Sequence, residues 1–311
     1  MENSLKTYSR FFILDGSPNM LSVFKPFMDN LIVGSGTAQE FVLIGFGDYN
    51  TEERFNFLTP TPGAFLSCIN GTFDDRCGNC LPENFTAAEY QRLMSEKCGK
   101  VDRYFGYGEQ MINFLLNTAT NKVQEFTIGR ILTDQSNTGI IGYSLGGLMS
   151  CHAAWTRPKQ FGMAACQSPS LWWPLNDTTY NDCIFEFLNV TLKNQTLLKE
   201  RDHQKILVDA GSEESDSPFR LTQSTVEAGL VMSKTSFFQL DRNVWINIYP
   251  DTPHNPKQWS LRIWKALTTL IPPDGSPGIP KSEAIECSVN ETNKFLTTFP
   301  TRSSQIPPII G

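Results

Sequence analysis

The chain has 311 residues, 40% of them hydrophobic and 19% charged, which suits one large core rather than a string of small modules. A formal net charge of −6 with scattered Lys and Arg leaves no basic stripe for phosphates, so nucleic acid is not expected as a partner. No apolar run is long enough to span a bilayer, and Met1-Glu2-Asn3-Ser4 shows no charged region leading into an apolar export signal.

In chain order, short apolar runs ending in Gly, Asp or Ser alternate with longer amphipathic stretches. The runs at 11–14, 41–44, 139–142, 163–166, 206–209 and 244–249 predict six strands. Apolar residues at three- and four-residue spacing predict helices over 20–32, 108–117, 145–155, 185–193, 219–232 and 256–270. The alternation predicts an α/β fold, with a mostly parallel central sheet and helices on both faces. From about 51 to 100 the chain is rich in Gly, Pro, Asn and Cys without sustained periodicity. It is expected there to leave the sheet as a long excursion within a domain spanning 1–271. The Pro-rich stretch 272–311 predicts an extended C-terminal tail.

Eight cysteines stand at 68, 77, 80, 98, 151, 166, 183 and 287. Six Asn-x-Thr sequons stand at Asn70, Asn84, Asn176, Asn189, Asn194 and Asn290. Together they predict a secreted or secretory-pathway glycoprotein with disulfide bonds. Cys77-x-x-Cys80 lacks the second close ligand pair of a zinc ribbon, so a disulfide-stapled loop is expected there and no metal.

Gly142-Tyr-Ser-Leu-Gly146 sits between an apolar strand and an amphipathic helix, the strand–turn–helix setting of a catalytic serine. Small residues two before and two after the serine let strand and helix approach, which makes Ser144 the candidate nucleophile. A serine needs a base to remove its proton, and three histidines are available. His152 lies two turns down the helix leading away, and His203 precedes a strand at the opposite sheet edge. His254 remains, in Pro250-Asp-Thr-Pro-His-Asn-Pro after the last strand, at the carboxyl edge where Ser144 emerges. The acid that orients it should follow the strand at 206–209, where Glu213, Glu214 and Asp216 compete. Glu214 is favoured, and Asp216 is well placed to open the next helix.

These residues resemble the esterase D type of esterases, α/β-hydrolases that include siderophore trilactone esterases, feruloyl esterases and mycolyltransferases. The resemblance runs from about residue 10 to 270. It is carried by Phe12-Ile-Leu-Asp-Gly16, Arg54 with Leu58-Thr-Pro, Gly142-Tyr-Ser-Leu-Gly-Gly-Leu148 and Ser168-Pro-Ser-Leu-Trp-Trp173. The last segment is similar to the siderophore-esterase branch in particular.

The family's Gly-x-x-Glu pattern maps the acid to Glu214, and its oxyanion hole maps to the backbone N–H groups of Leu145 and Ser17. Tyr143, Arg54, Trp172 and Trp173 are the substrate-binding positions expected from the same match. The resemblance implies a serine carboxylic ester hydrolase that acts on a small-molecule ester through an acyl-enzyme, without a cofactor. Acyl transfer to another alcohol, or a hydrolase-like binding domain without catalysis, are the alternatives. Members carry further strands ahead of the Leu-Asp-Gly strand, and about ten residues precede it here. A sheet lacking the first strands, and a lost signal peptide, are therefore expected.

Overall fold

Apolar runs too continuous for a one-sided sheet imply strands buried on both faces. The computed structural model, which describes residues 6–29, 36, 38–47, 50–60, 106–171, 182–201, 203–216 and 221–272, shows that arrangement for the inner strands, with the two edge strands partly buried. Its strands are β1 (Ser9–Leu14), β2 (Phe41–Phe46), β3 (Thr138–Tyr143), β4 (Met163–Gln167), β5 (Lys205–Gly211) and β6 (Val244–Tyr249). They form one sheet in the order β2-β1-β3-β4-β5-β6, and every neighbouring pair is parallel. Side chains alternate across it: Phe12, Leu14, Ile140, Ala164 and Val208 enter one core, while Phe11, Ile13, Ile141, Ala165 and Leu207 enter the other.

The helices are α1 (Pro18–Asp29), α2 (Thr51–Phe57), α3 (Gly108–Phe114), α4 (Thr120–Thr127), α5 (Leu145–Thr156), α6 (Asp182–Lys193), α7 (Gln195–Leu198), α8 (Leu221–Ser233) and α9 (Pro256–Leu270). Through Phe24, Met28, Trp259 and Ile263, α1 and α9 cover one face. The other is covered by α3, α5, α6 and α8 through Ile112, Leu148, Leu188 and Val226. Among the described residues, no helix is long and apolar enough to cross a membrane.

Two elements depart from the sequence expectation. The excursion expected from residue 51 opens instead with α2. There the Asn50 side chain accepts from the Glu53 N–H while the Glu53 carboxylate accepts from the Asn50 N–H, a capping box. Helix α3 does not stop at 117: a π-helical turn, Leu115–Ala119, carries it into α4. Thr120 fixes this turn, donating its hydroxyl to the Leu115 carbonyl (2.8 Å) and accepting from buried Arg10 Nη1 (2.6 Å). The rest of the excursion, 61–105, and the tail from 273 lie outside the described residues.

Candidate active site

With all strands parallel, the exits of β3, β4, β5 and β6 open on one edge, and Ser144, Ser168, Glu214 and His254 follow them in turn. Ser144 bridges β3 and α5 at φ 56, ψ −120, a conformation in the left-handed half of the map that side chains rarely adopt. Its N–H donates to the Gln167 carbonyl (2.9 Å), and its carbonyl accepts from the Leu148 and Ser170 amides (3.0 Å each). A Cβ on Gly142 would strike the Gly146 backbone, and one on Gly147 would lie 2.6 Å from the Gln167 carbonyl oxygen. The glycines thus let α5 close directly onto the sheet.

At the far end of α5, buried Arg201 donates to the carbonyls of Ala154 (3.3 Å) and Trp155 (2.5 Å). A cation there complements the helix dipole. At the near end Leu145 is the first residue of the helix, whose first-turn N–H groups have no partner within the helix itself, which suits it to developing negative charge. The other expected oxyanion donor, the Ser17 N–H, donates to the Asp15 carbonyl (3.0 Å), so an oxyanion would have to take it over from that turn.

Asp15 itself has φ 63 and is held from two sides. Arg54 Nε and Nη2 donate to its two carboxylate oxygens at 2.8 and 2.7 Å, and the Tyr143 hydroxyl donates to its carbonyl (2.9 Å). Arg54, expected to meet substrate, is thus engaged in a bidentate clamp. Tyr143 is buried, which pushes its hydroxyl pKa up, and its ring stacks on Trp259 with centroids 4.5 Å apart. Both side chains therefore brace the turn after β1. Trp172 and Trp173 lie outside the described residues.

His254 Nδ1 stands 3.0 Å from Glu214 Oε2, and its ring meets Trp259 edge-on with centroids 4.7 Å apart. Glu214 is buried, whereas Glu213 on the same turn is exposed; the Asp216 side chain is not among those described. Glu214 Oε1 accepts from the Ser168 hydroxyl (2.7 Å) and the Gly211 N–H (3.0 Å). Burial alone would push its carboxyl pKa up, but the hydrogen bonds from His254 and Ser168 outweigh that and hold it below the usual carboxylate range. Among the described hydrogen bonds, Ser144 Oγ meets Ser170 Oγ (3.3 Å) rather than His254. Contacts of this kind commonly tighten only when substrate is bound.

The other histidines are elsewhere. His203 is exposed ahead of β5. His152 is buried on α5 against Glu109 (2.5 Å), whose second oxygen pairs with Arg157 (2.5 Å). Burial pushes the Glu109 carboxyl up, but these two partners outweigh it and pull it down to about 2. Sequence reasoning missed Ser170, although it lies in the Ser-Pro-Ser run, and it missed Asp209 and Arg262 behind Glu214.

The chain is similar to several known proteins. The profile of the family described as Putative esterase matches residues 107–247, the segment from α3 through β6 that carries the serine turn. Siderophore hydrolase EstA from Aspergillus nidulans superposes with a TM-score of 0.60 at 17% identity, over 86% of this chain and 82% of that one. Siderophore hydrolase EstB from the same organism gives 0.62 at 15%, over 89% and 87%. The enterobactin esterase FES from Shigella flexneri gives 0.52 at 16%, over 85% and 53%. The chain has the α/β-hydrolase fold and, over residues 107–247, resembles the Putative esterase family.

Proposed function

We propose that the protein is a carboxylic ester hydrolase that works through an acyl-enzyme, with Ser144 as nucleophile, His254 as general base and Glu214 as the acid that orients it. One observation carries the reading: a serine in a strained strand-to-helix turn shares its sheet edge with a histidine bound to a buried carboxylate. The family match, over residues 107–247, covers Ser144 and Glu214 and supports the reading, while His254 lies beyond its end.

The ionised Glu214 has no proton to give, so His254 Nδ1 must be the donor and Nε2 is left as the acceptor. Nε2 takes the Ser144 proton as Oγ attacks the ester carbonyl. The charge on the carbonyl oxygen develops beside the Leu145 N–H, joined by Ser17 when its amide leaves the Asp15 carbonyl. Donors so placed are worth ~3 kcal/mol each in acyl transfer. Collapse expels the alcohol with the proton from His254, and water activated by the same nitrogen then releases the acid.

The test is labelling by a fluorophosphonate probe together with hydrolysis of a p-nitrophenyl ester. Wild type should label and turn over; Ser144→Ala should do neither, and His254→Ala should lose turnover by several orders of magnitude. The double variant should be scarcely worse, because the two groups act as a unit. Wild-type turnover in either single variant sinks the assignment.

A further inference from the structure

Behind Glu214 lies a buried polar chain that an acid–base pair does not by itself require. Arg262 projects from α9, two turns beyond His254, and is 3% exposed. Its Nη2 donates to Ser168 Oγ at 2.8 Å and stands 3.6 Å from Glu214 Oε1; Nη1 stands 3.3 Å from Asp209 Oδ1. Its guanidinium lies over the Tyr249 ring, 5.2 Å from the centroid. Ser168 is held at φ 44, its N–H donating to the Asp209 carbonyl (2.6 Å). Asp209 is fully buried and also accepts from Gln167 Nε2 (3.1 Å).

The hydrogens along this chain have one arrangement. A guanidinium only donates, so the Ser168 oxygen must accept from Arg262, and its single hydrogen is directed to Glu214 Oε1. Oε1 is then committed to Ser168 and Gly211, and Oε2 is left facing His254.

We propose that Ser168 and Arg262 are positioning residues that fix the direction of the Glu214 carboxylate, and through it the tautomer of His254; this rests on the triad reading above. The helix that bears Arg262 is capped by Asn255, the residue after the histidine, so base and cation are carried by one short continuous segment. Among the described residues, the charged groups paired here are Glu214 from the turn after β5, Asp209 from β5 and Arg262 from α9, while Glu213 and Asp251 on the adjoining turns are exposed. Burial pushes Asp209 up to about 6, with Arg262 and Gln167 pulling against it, so the cation is shared between two carboxyl groups.

Steady-state hydrolysis of a p-nitrophenyl ester across pH separates this from a packing role. Ser168→Ala should lower kcat by roughly tenfold or more with KM within about twofold, since the groups that bind the ester are untouched. Arg262→Gln removes a positive charge near the imidazole. The acid limb of kcat/KM should then move to higher pH by roughly half a unit or more, while Arg262→Lys, which keeps the charge, should leave the limb near wild type and still lower kcat. A loss of folded protein alone would lower rates without moving the limb. If Arg262→Gln does not fold, Ser168→Ala and Arg262→Lys decide. Wild-type kcat in both overturns this proposal while the loss of labelling in Ser144→Ala leaves the triad standing; retained activity in Ser144→Ala would instead remove the triad and this inference together.

Discussion

Left-handed backbone gathers where the strands end: Asp15 after β1 (φ 63), Ser144 after β3 (φ 56), Ser168 after β4 (φ 44) and Asp251 after β6 (φ 50). Such residues cost of order 1–3 kcal/mol each and persist only where their surroundings over-determine them. Arg54 and Tyr143 do this for Asp15, Gln167 and Ser170 for Ser144, and Asp209 and Arg262 for Ser168. The same density of partners makes Glu214 hard to replace. One of its oxygens meets two donors and the other meets the imidazole N–H, so an amide, which offers one acceptor and one donor, must present its NH₂ to a donor on one side. Glu214→Gln should therefore lose up to ~10⁴ in kcat. Exposed Glu213→Gln, and Asp216→Asn, should stay within roughly threefold of wild type, about 0.7 kcal/mol. The check is the pH-independent kcat of the three variants; an impaired Asp216→Asn beside an active Glu214→Gln would move the acid to Asp216.

The elements that read most clearly from sequence are those whose pattern depends on burial alone. All six strands appear where the apolar runs stand: the inner strands β1, β3, β4 and β5 are buried on both faces and so need a near-continuous apolar run, while the edge strands β2 and β6 are only partly buried. The Ser144 turn was equally plain, since close approach of α5 to β3 admits only glycine at its contact points. Less was visible where tertiary contacts decide. The extension of α3 into α4 runs through Asn117-Thr-Ala-Thr-Asn, four polar residues around one alanine, whose helix is stabilised by Arg10 of a distant strand. Helix α2 had its signal in the Asn50 and Glu53 pair, outweighed by the irregular composition that follows. Arg262 looks like any cation on an amphipathic helix, and only the turns after β4 and β5 give it a role. The close packing of β3 and α5 is open to direct test. Gly142→Ala should force the two apart and destabilise the protein by about 1–3 kcal/mol, with turnover reduced because Ser144 rides on the joint. Gly129, at φ 71 with nothing near its missing Cβ, is the control: Gly129→Asn, which tolerates that conformation, should melt near wild type. Equal melting temperatures for wild type and Gly142→Ala would show that the contact yields without strain.

For the molecule as a whole, cysteine content bears on the compartment in which it works. Cys151 on α5 and Cys166 on β4 are joined by a disulfide in the buried core. The remaining cysteines, including the group at 68–98, lie outside the residues whose side chains are described. Of the sequon asparagines, Asn194 is exposed ahead of α7, where its Oδ1 accepts from the Leu197 N–H (3.3 Å). We propose that the chain works in the secretory pathway or beyond it, where disulfides persist and Asn-x-Thr is modified. Expressed behind a secretion signal in a eukaryotic host, it should lose mass on treatment with an N-glycosidase and yield a disulfide-linked Cys151–Cys166 peptide on proteolysis without reductant. The bond spans 15 residues, and closing a loop of that size in the unfolded chain contributes about 3 kcal/mol, so reduction should lower the melting temperature by several degrees. A chain whose mass is unchanged by the glycosidase, with all eight thiols titratable under native oxidising conditions, would place it in a reducing compartment and leave the sequons without a function.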